Sequence, residues 1–417
     1  MLWRAASREA ALVAQSRVAA PGFRPSPGGL AALHNGWVQG RVNTTGRRDE
    51  SQLHPNGLTT CIHCQASADV VDSVPTQAGT STQGRIVSIL RERGLVESIT
   101  NEELESVAAN EQLSVYCGFD PTADSLHLGN LLGFVVLSWF QRCGHQPIAL
   151  IGGATGRVGD PSGKSAERPM MSEEQIQKNC EGIASLIKRI LGRSTVGNGS
   201  ALRILNNLDW FGGMQFLEFL RDVGKFARVG VMLAKDSVKT RLASEEGISF
   251  TEFTYQLLQG YDFFHLCRTE GVKVEIGGSD QWGNITAGTD LTRKLWKPEY
   301  GDAPVVFGLT FPLLLDSEGR KFGKSEGGAV WLSADKLSPY KFYQHLFATT
   351  DADVFRFLRM LTFLPLEEIA ALEEAMKGTP ESGYLPNTAQ RRLAEEVTEF
   401  VHGKEGLLQA QRATMVR

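Results

Sequence analysis

From about residue 85 onward, apolar and polar positions follow two rhythms in turn. RIVSILRERGL spaces its apolar residues as a helix does, and a second charged start follows at NEELES. LSVYCGF reads as a buried strand running into a turn at Asp120-Pro121-Thr122. LLGFVVLSWFQRCG has helical length and ends on glycine, and PIALIGG is the next strand. Strand, helix and strand joined by so short a crossover predict a parallel, right-handed unit. Further strands are predicted at VKVEIGG (272–278) and PVVFGLTFPLLL (304–315). Helical stretches lie between them, including FLEFLRDVGKFARV and FTEFTYQLLQGYDFFHL. This alternation argues for an open α/β sheet. From Ser338 the pattern is helical throughout: PYKFYQHLFAT, VFRFLRMLTF, LEEIAALEEAMKG and TAQRRLAEEVTEFVHG, with a loop at GTPESGYLPN. A small α-helical domain is expected there. No internal repeat is visible.

The N-terminal region breaks both rhythms. Residues 1–48 hold seven arginines, no lysine and one acid, Glu9. Leu2, Trp3, Ala6, Val13 and Val18 interleave with Arg4, Arg8 and Arg17, which suits an amphipathic helix. An acid-poor, Arg-rich leader of this kind reads as an organellar transit peptide, for mitochondrion, chloroplast or both. Residues 49–84 are polar and rich in Pro, Gly, Ser and Thr, and predict a disordered linker or the tail of the presequence. The expected division is therefore 1–84 leader and linker, 85–333 catalytic α/β domain and 334–417 helical domain.

Composition adds limits. The chain has 417 residues, 42% of them apolar and 22% charged, with a net charge of -4. RNA binding would therefore need a local basic patch. No apolar run reaches the ~18 residues that cross a bilayer, so no membrane role is expected. Of six cysteines only Cys61 and Cys64 are close, as CIHC. A single C-x-x-C is weak evidence for zinc, and no metal site is predicted. GATGRVG (153–159) lacks the dinucleotide-binding spacing. The two GKS tripeptides, at 163–165 and 323–325, would each need glycine where Val158 and Glu318 stand to complete a P-loop.

Two segments carry the chemistry. HLGN (127–130) lies where a strand hands over to a helix, the edge at which open parallel sheets bind ligands. Gly129 allows an adenine ring or ribose close to the backbone. His127 is placed to donate to a phosphate oxygen, and Asn130 to a ribose oxygen. KFGKS (321–325) sets Lys321 and Lys324 in a glycine-containing loop, which suits pyrophosphate. Tyr255 and Gln259 are four residues apart on a predicted helix and share a face, which Asp262 continues three residues later.

YCGFDPTADSLHLGN (116–130) and KFGKS together resemble the two nucleotide-binding signatures of class I aminoacyl-tRNA synthetases. From about residue 90 the chain resembles bacterial-type tyrosyl-tRNA synthetases. The family usually has histidine where this chain has Asn130. The resemblance implies a Rossmann-like catalytic domain with a helical insertion, followed by a helical domain that contacts tRNA, in a homodimer joined through the insertion. It implies that Tyr116 and Asp262 bond the phenol hydroxyl of the substrate tyrosine. Asp160, Tyr255 and Gln259 would meet its ammonium, and Gln281 its carboxyl end. Cys117, Gly118, Asp120, Gly278 and Asp280 would lie on the nucleotide side, with Thr122 and His127 on the phosphates. Lys164 and Arg168, in GDPSGKSAER, match a loop that closes over pyrophosphate.

The expected substrates are L-tyrosine, ATP with Mg²⁺, and tRNA(Tyr), with no tightly bound cofactor. The expected activity is tyrosine–tRNA ligase. A tryptophanyl enzyme would not need Tyr116 and Asp262 aimed at a phenol. A non-catalytic RNA-binding or tyrosine-sensing protein would not need the intact lysines. In the family the chain continues past the HGKEG helix into a small C-terminal RNA-binding domain. The sequence as given is thus expected to activate tyrosine and to charge tRNA weakly.

Overall fold

The computed structural model describes residues 82–415 apart from 165, 194–199, 326–327 and 378–385, and describes only the backbone at 82, 83, 324 and 325. The expected leader and linker over 1–84 lie outside the described residues up to 81, as does most of the GTPESGYLPN loop, while Thr82–Arg85, expected in part as linker, form a 3₁₀ turn ahead of α1.

Helices α1 (Ile86–Glu92) and α2 (Glu103–Asn110) flank the short strand β1 (Ser98–Ile99). Then come β2 (Ser114–Phe119), α3 (Leu131–Arg142), β3 (Gln146–Ile151), α4 (Glu173–Leu191) and β4 (Arg203–Asn206). Four short helices form an insertion: α5 (Leu208–Phe211), α6 (Phe216–Asp222), α7 (Val229–Leu233) and α8 (Asp236–Leu242). The long α9 (Phe250–Glu270) leads into β5 (Val272–Gly278), α10 (Trp282–Leu295) and β6 (Phe307–Phe311). A hairpin of β7 (Lys324–Ser325) and β8 (Gly328–Ala329) follows. The helical part comprises α11 (Pro339–Phe347), α12 (Asp351–Leu361), α13 (Leu366–Met376) and α14 (Thr388–Met415).

The main sheet has the order β1-β6-β5-β2-β3-β4. All of its neighbours run parallel except β1 against β6. The chain moves outward from β2 through β3 to β4, then returns to place β5 on the other side of β2. The strand order therefore reverses between β2 and β5. At such a reversal the flanking connections leave in opposite directions and open a crevice at the carboxyl ends of the strands.

Side-chain alternation divides the strands between two faces. Val115, Cys117 and Phe119 join Ala149 and Ile151 in the core beneath α3 and α4. Tyr116, Ile148 and Leu150 point the other way, against Phe263 and Leu266 of α9. The first core runs on without a break into the helical part through Phe342, Phe357 and Leu393. Arg93 ties the two parts together. Its guanidinium lies over Trp139 and donates to the carbonyls of Arg359, Thr362 and Leu364, at the end of α12. These are carbonyls that a helix end leaves without an intrahelical partner. Arg241 is buried in the insertion and makes a two-pronged pair with Glu252 at 2.9 and 3.1 Å, which docks α8 on α9.

The predicted strands and helices appear where the pattern set them, with three differences. The strand expected over 304–315 covers only Phe307–Phe311, because Pro304 and Pro312 have no N–H for the ladder. The helix expected over 216–229 stops at Asp222 and continues as a 3₁₀ turn. β4 and the two-residue strands β1, β7 and β8 have no counterpart in the sequence reading. Among the described residues, no helix is long and apolar enough to cross a membrane.

Gly308 tests how closely α10 sits on the sheet. A Cβ there would come within 2.2 Å of Ile285 on α10. Gly308→Ala should therefore destabilise by about 1–3 kcal/mol, as overpacking a dense core does. Chemical denaturation measures this, and an unchanged midpoint would mean that α10 is not seated on β6 as described.

Candidate functional site

The crevice between the ends of β2 and β5 collects most of the predicted residues, and glycines bring the two signature segments together across it. A Cβ on Gly323 would lie 2.6 Å from the backbone nitrogen of Gly129, so KFGKS rests directly on HLGN. The chain after the β7–β8 hairpin fixes this contact. Leu128 N–H donates to Val330 at 2.7 Å, and Leu332 N–H donates to Leu126 at 2.9 Å. From the other side, His345 of α11 bonds the Phe322 carbonyl at 3.1 Å, and the Phe322 ring packs on Phe357. The loop is thus held between the sheet edge and the helical part.

HLGN forms a capped turn. His127 Nδ1 accepts from Gly129 N–H at 3.1 Å, and the Asn130 side-chain oxygen accepts from His127 N–H at 3.1 Å. A capping ring nitrogen must be unprotonated, so any donation by His127 to a phosphate falls to Nε2. Asn130 uses its oxygen in the cap and keeps its amide N–H groups for other partners.

Beneath this turn lies a continuous chain of buried polar contacts. Trp210 Nε1 and Asn207 Nδ2 donate to the two oxygens of Asp262, at 2.9 and 3.0 Å. Asn207 Nδ2 also donates to Thr155 Oγ1 at 3.1 Å, and its own oxygen accepts from Ala154 N–H at 2.7 Å. Thr155 donates to one oxygen of Asp120 at 2.8 Å, and the Tyr255 hydroxyl donates to the other at 2.9 Å. A second group surrounds Asp160. It accepts from Gln281 at 2.7 Å, from Ser162 N–H at 2.9 Å and from Asn284 at 3.3 Å. A third joins Gln259 Nε2 to Glu275 Oε1 at 2.9 Å.

Tyr116 stands apart from these chains. Its ring packs edge-on to Phe263 at 5.6 Å, and its hydroxyl is fully buried with no partner at hydrogen-bond geometry. Glu275, directly opposite on β5, and Asp262 both bear on that hydroxyl. Burial first, then these two charges, hold its pKa well above the tyrosine range. Burial likewise raises Asp262, against the pull of its bonds from Asn207 and Trp210. Glu275 rises to about 7, again by burial, and the bond from Gln259 and the neighbouring Tyr116 hydroxyl limit the rise. Asp120 rises to about 6 through desolvation and the Asp160 charge. The interior of the crevice is therefore crowded with carboxyl groups, and a cationic group on a ligand would relieve their repulsion.

Cations mark the rim. Arg168 folds against Gly159 and acts on Asp120 and Tyr255. Lys164 and Lys321 are exposed, and both act on Asp280, whose side chain leans between Gly278 and Gly163. The side chain expected of Lys324 lies outside the described part, although its backbone pairs with Ala329. Gly118 and Thr122 are exposed at the edge. Cys117 turns to the opposite face of the sheet and lies buried against Gly133 of α3, away from the polar chain.

The sequence reading missed Thr155, Asn207, Trp210, Glu275 and Asn284. Glu275 left a usable signal, as a carboxylate in the middle of an otherwise apolar strand.

The family model described as tRNA synthetases class I (W and Y) matches residues 108–416. Over 332 residues the chain is 62% identical to the tyrosine–tRNA ligase, chloroplastic/mitochondrial, of Arabidopsis thaliana. That match covers 79% of this chain and 63% of the relative, so the chain spans less than two thirds of that relative's length. It is 59% identical over 323 residues to the tyrosine–tRNA ligase of Protochlamydia amoebophila, covering 77% of this chain and 73% of that one. Among solved structures, a C-terminally truncated mitochondrial tyrosyl-tRNA synthetase of Aspergillus nidulans matches with a TM-score of 0.70 at 32% identity. That likeness covers 80% of this chain and 94% of the other.

The buried Glu275 carboxyl makes stability depend on pH with a definite sign. Its folded-state value of about 7 exceeds the ordinary 4.5, so the folded protein binds this proton more tightly than the unfolded chain. Its contribution is complete below about pH 4.5 and is lost as pH rises through 7. Glu275→Gln should therefore stabilise the protein at pH 8, by up to about 3 kcal/mol, and have little effect at pH 4.5. Thermal unfolding of both proteins across this range is the check, and a pH-independent difference would contradict it.

Proposed function

We propose that this chain, which belongs to the class I tyrosyl-tRNA synthetase family, activates L-tyrosine with ATP and passes the tyrosyl group to the 3′ end of tRNA(Tyr). The observation that carries the reading is the buried, unpartnered Tyr116 hydroxyl beside Asp262. A substrate phenol offers a donor and an acceptor to that pair. Phenylalanine offers neither, and an indole has no oxygen for the Tyr116 hydroxyl.

In this reading the ring of tyrosine lies along α9. Its ammonium sits among Asp160, Tyr255 and Gln259, and its carboxyl end lies near Gln281. The tyrosine carboxylate is already a nucleophile. It attacks the α-phosphorus of ATP in line, the bond to the bridging oxygen breaks, and pyrophosphate leaves. The enzyme supplies position and charge, with no covalent intermediate. The adenosine would rest at Gly118, Asp120, Gly129, Asn130, Gly278 and Asp280. His127, Thr122, Lys164, Arg168, Lys321 and Lys324 would meet the phosphates, with Mg²⁺ arriving as the counter-ion of the nucleotide. An acidic interior and a basic rim suit a zwitterionic amino acid inside and a triphosphate outside. The second step is attack on the adenylate carbonyl by a hydroxyl of the terminal adenosine of tRNA, releasing AMP. The helical part from residue 334 would contact the tRNA.

Two further assignments belong to this reading. The chain acts as a homodimer joined through the insertion and the adjoining start of α9, where Phe216, Leu217, Val229, Val231 and Phe250 each remain more than half exposed. Apolar exposure of that extent on neighbouring elements suits an interface. The site of action is the mitochondrion, the chloroplast or both, in keeping with the Arg-rich leader.

Exchange of labelled pyrophosphate into ATP tests the activation step. Tyrosine should support exchange, and phenylalanine and tryptophan should not. Asp262→Ala should lower the preference for tyrosine over phenylalanine by roughly 5- to 150-fold, since a buried polar group without its partner costs about 1–3 kcal/mol. Unchanged selectivity in the variant would remove the phenol assignment.

Analytical ultracentrifugation tests the assembly. The wild-type chain should sediment as a dimer at micromolar concentration, and a Val229→Asp, Phe250→Asp double variant as a monomer. A dimer that survives both charges would place the interface elsewhere.

A further inference from the structure

We propose that Glu275 is a positioning residue for the amino-acid site: its carboxylate holds the Gln259 amide so that the carbonyl oxygen, and not the NH₂ group, faces a bound ammonium. The proposal rests on the tyrosine reading above and names the group that sets one of its contacts.

A glutamine amide carries a donor end and an acceptor end, and nothing in its shape selects between them. An ionised carboxylate only accepts, so Glu275 Oε1 takes the NH₂ end, at 2.9 Å. The Gln259 oxygen must then point away from Glu275. That oxygen is buried and has no hydrogen-bond partner. It is an acceptor held ready in a pocket of carboxyl groups, and an ammonium, which only donates, is its complement. With a donor at position 275 the amide could turn over. It would then present NH₂ to the ammonium, donor against donor.

The packing around Glu275 is built to hold it. The residue is 2% exposed and lies opposite Tyr116 in the register of β5 with β2. Gly288 of α10 leaves room for its second oxygen, since a Cβ there would come within 3.2 Å of Glu275 Oε2 and of Phe263. A Cβ on Gly260 of α9 would lie 3.5 Å from Gly288 Cα, so the two helices pack closely beside the carboxylate. The titratable groups that bear on it are Tyr116 and Cys117 from β2 and Asp262 from α9. Opposite it on β6 is Gly308.

Two tyrosine analogues separate this role from simple support of the fold. Tyramine keeps the phenol and the ammonium. 3-(4-Hydroxyphenyl)propionate keeps the phenol and the carboxylate but has no amine. Their equilibrium affinities can be measured by calorimetry on the wild-type chain and on Glu275→Leu, whose side chain is of similar size and has no acceptor for the Gln259 NH₂ group. The variant should bind tyramine roughly tenfold or more weakly and the amine-free analogue nearly as well as before. Equal losses for both analogues, or no loss for either, would overturn the proposal. Failure of the wild-type chain to bind tyrosine at all would instead overturn the tyrosine reading, and this inference with it.

Discussion

The site depends on carboxyl groups held out of water at the one place where the sheet reverses its order. Asp120, Asp160, Asp262 and Glu275 converge on the carboxyl ends of β2 and β5. An ionised carboxylate removed from solvent is costly unless donors surround it. The surroundings are arranged accordingly. Asn207, Trp210, Thr155, Tyr255, Gln259, Gln281 and Asn284 all aim donors at these four groups. Tyr255 and Gln259 are carried by the body of α9, Gln281 and Asn284 by the start of α10, and Asn207 by the end of β4. The pocket is rigid because its members are one another's hydrogen-bond partners, and such networks are worth most in a low-dielectric interior. Three buried atoms of the pocket keep no partner at hydrogen-bond geometry: the Tyr116 hydroxyl, the Gln259 oxygen and the second oxygen of Glu275.

The second constraint is the contact between Gly129 and Gly323. It brings a turn at the head of the sheet and a lysine loop from beyond β6 to backbone distance. Strand-like bonds on either side of the contact, and the Phe322 anchor under α11 and α12, make that loop a shared boundary. A phosphate held by that loop would lie between the HLGN turn and the helical part. The acidic interior and the cationic rim are thus separate in space, although both belong to one crevice.

Much of this was legible in the sequence. The strand-to-turn handover at Asp120 and the helical spacing of Tyr255, Gln259 and Asp262 were readable because strand and helix periods decide which side chains share a face. The partners of those residues were not readable. Asn207 follows β4, a strand of four residues at the sheet edge with no apolar run to announce it. Thr155 lies in a glycine-rich turn that offered only false nucleotide motifs. Trp210 belongs to no motif and to none of the predicted elements. Cys117 shows a limit of another kind. Proximity in sequence to Tyr116 carries no proximity in space when adjacent strand residues face opposite sides. The overlong strand over 304–315 was a misreading of apolar content as pairing, where the two flanking prolines held the answer.

The central claim is that one buried pocket reads both ends of tyrosine at once, the phenol at Tyr116 and Asp262 and the ammonium at Asp160, Tyr255 and Gln259. A crystal structure of the chain with L-tyrosine bound tests it most directly. The account predicts the phenol oxygen within hydrogen-bond distance of both Tyr116 Oη and Asp262, with the amino group against the Gln259 oxygen. Tyrosine bound in the reverse sense, with its ammonium at Asp262, or bound outside the β2–β5 crevice, would contradict it.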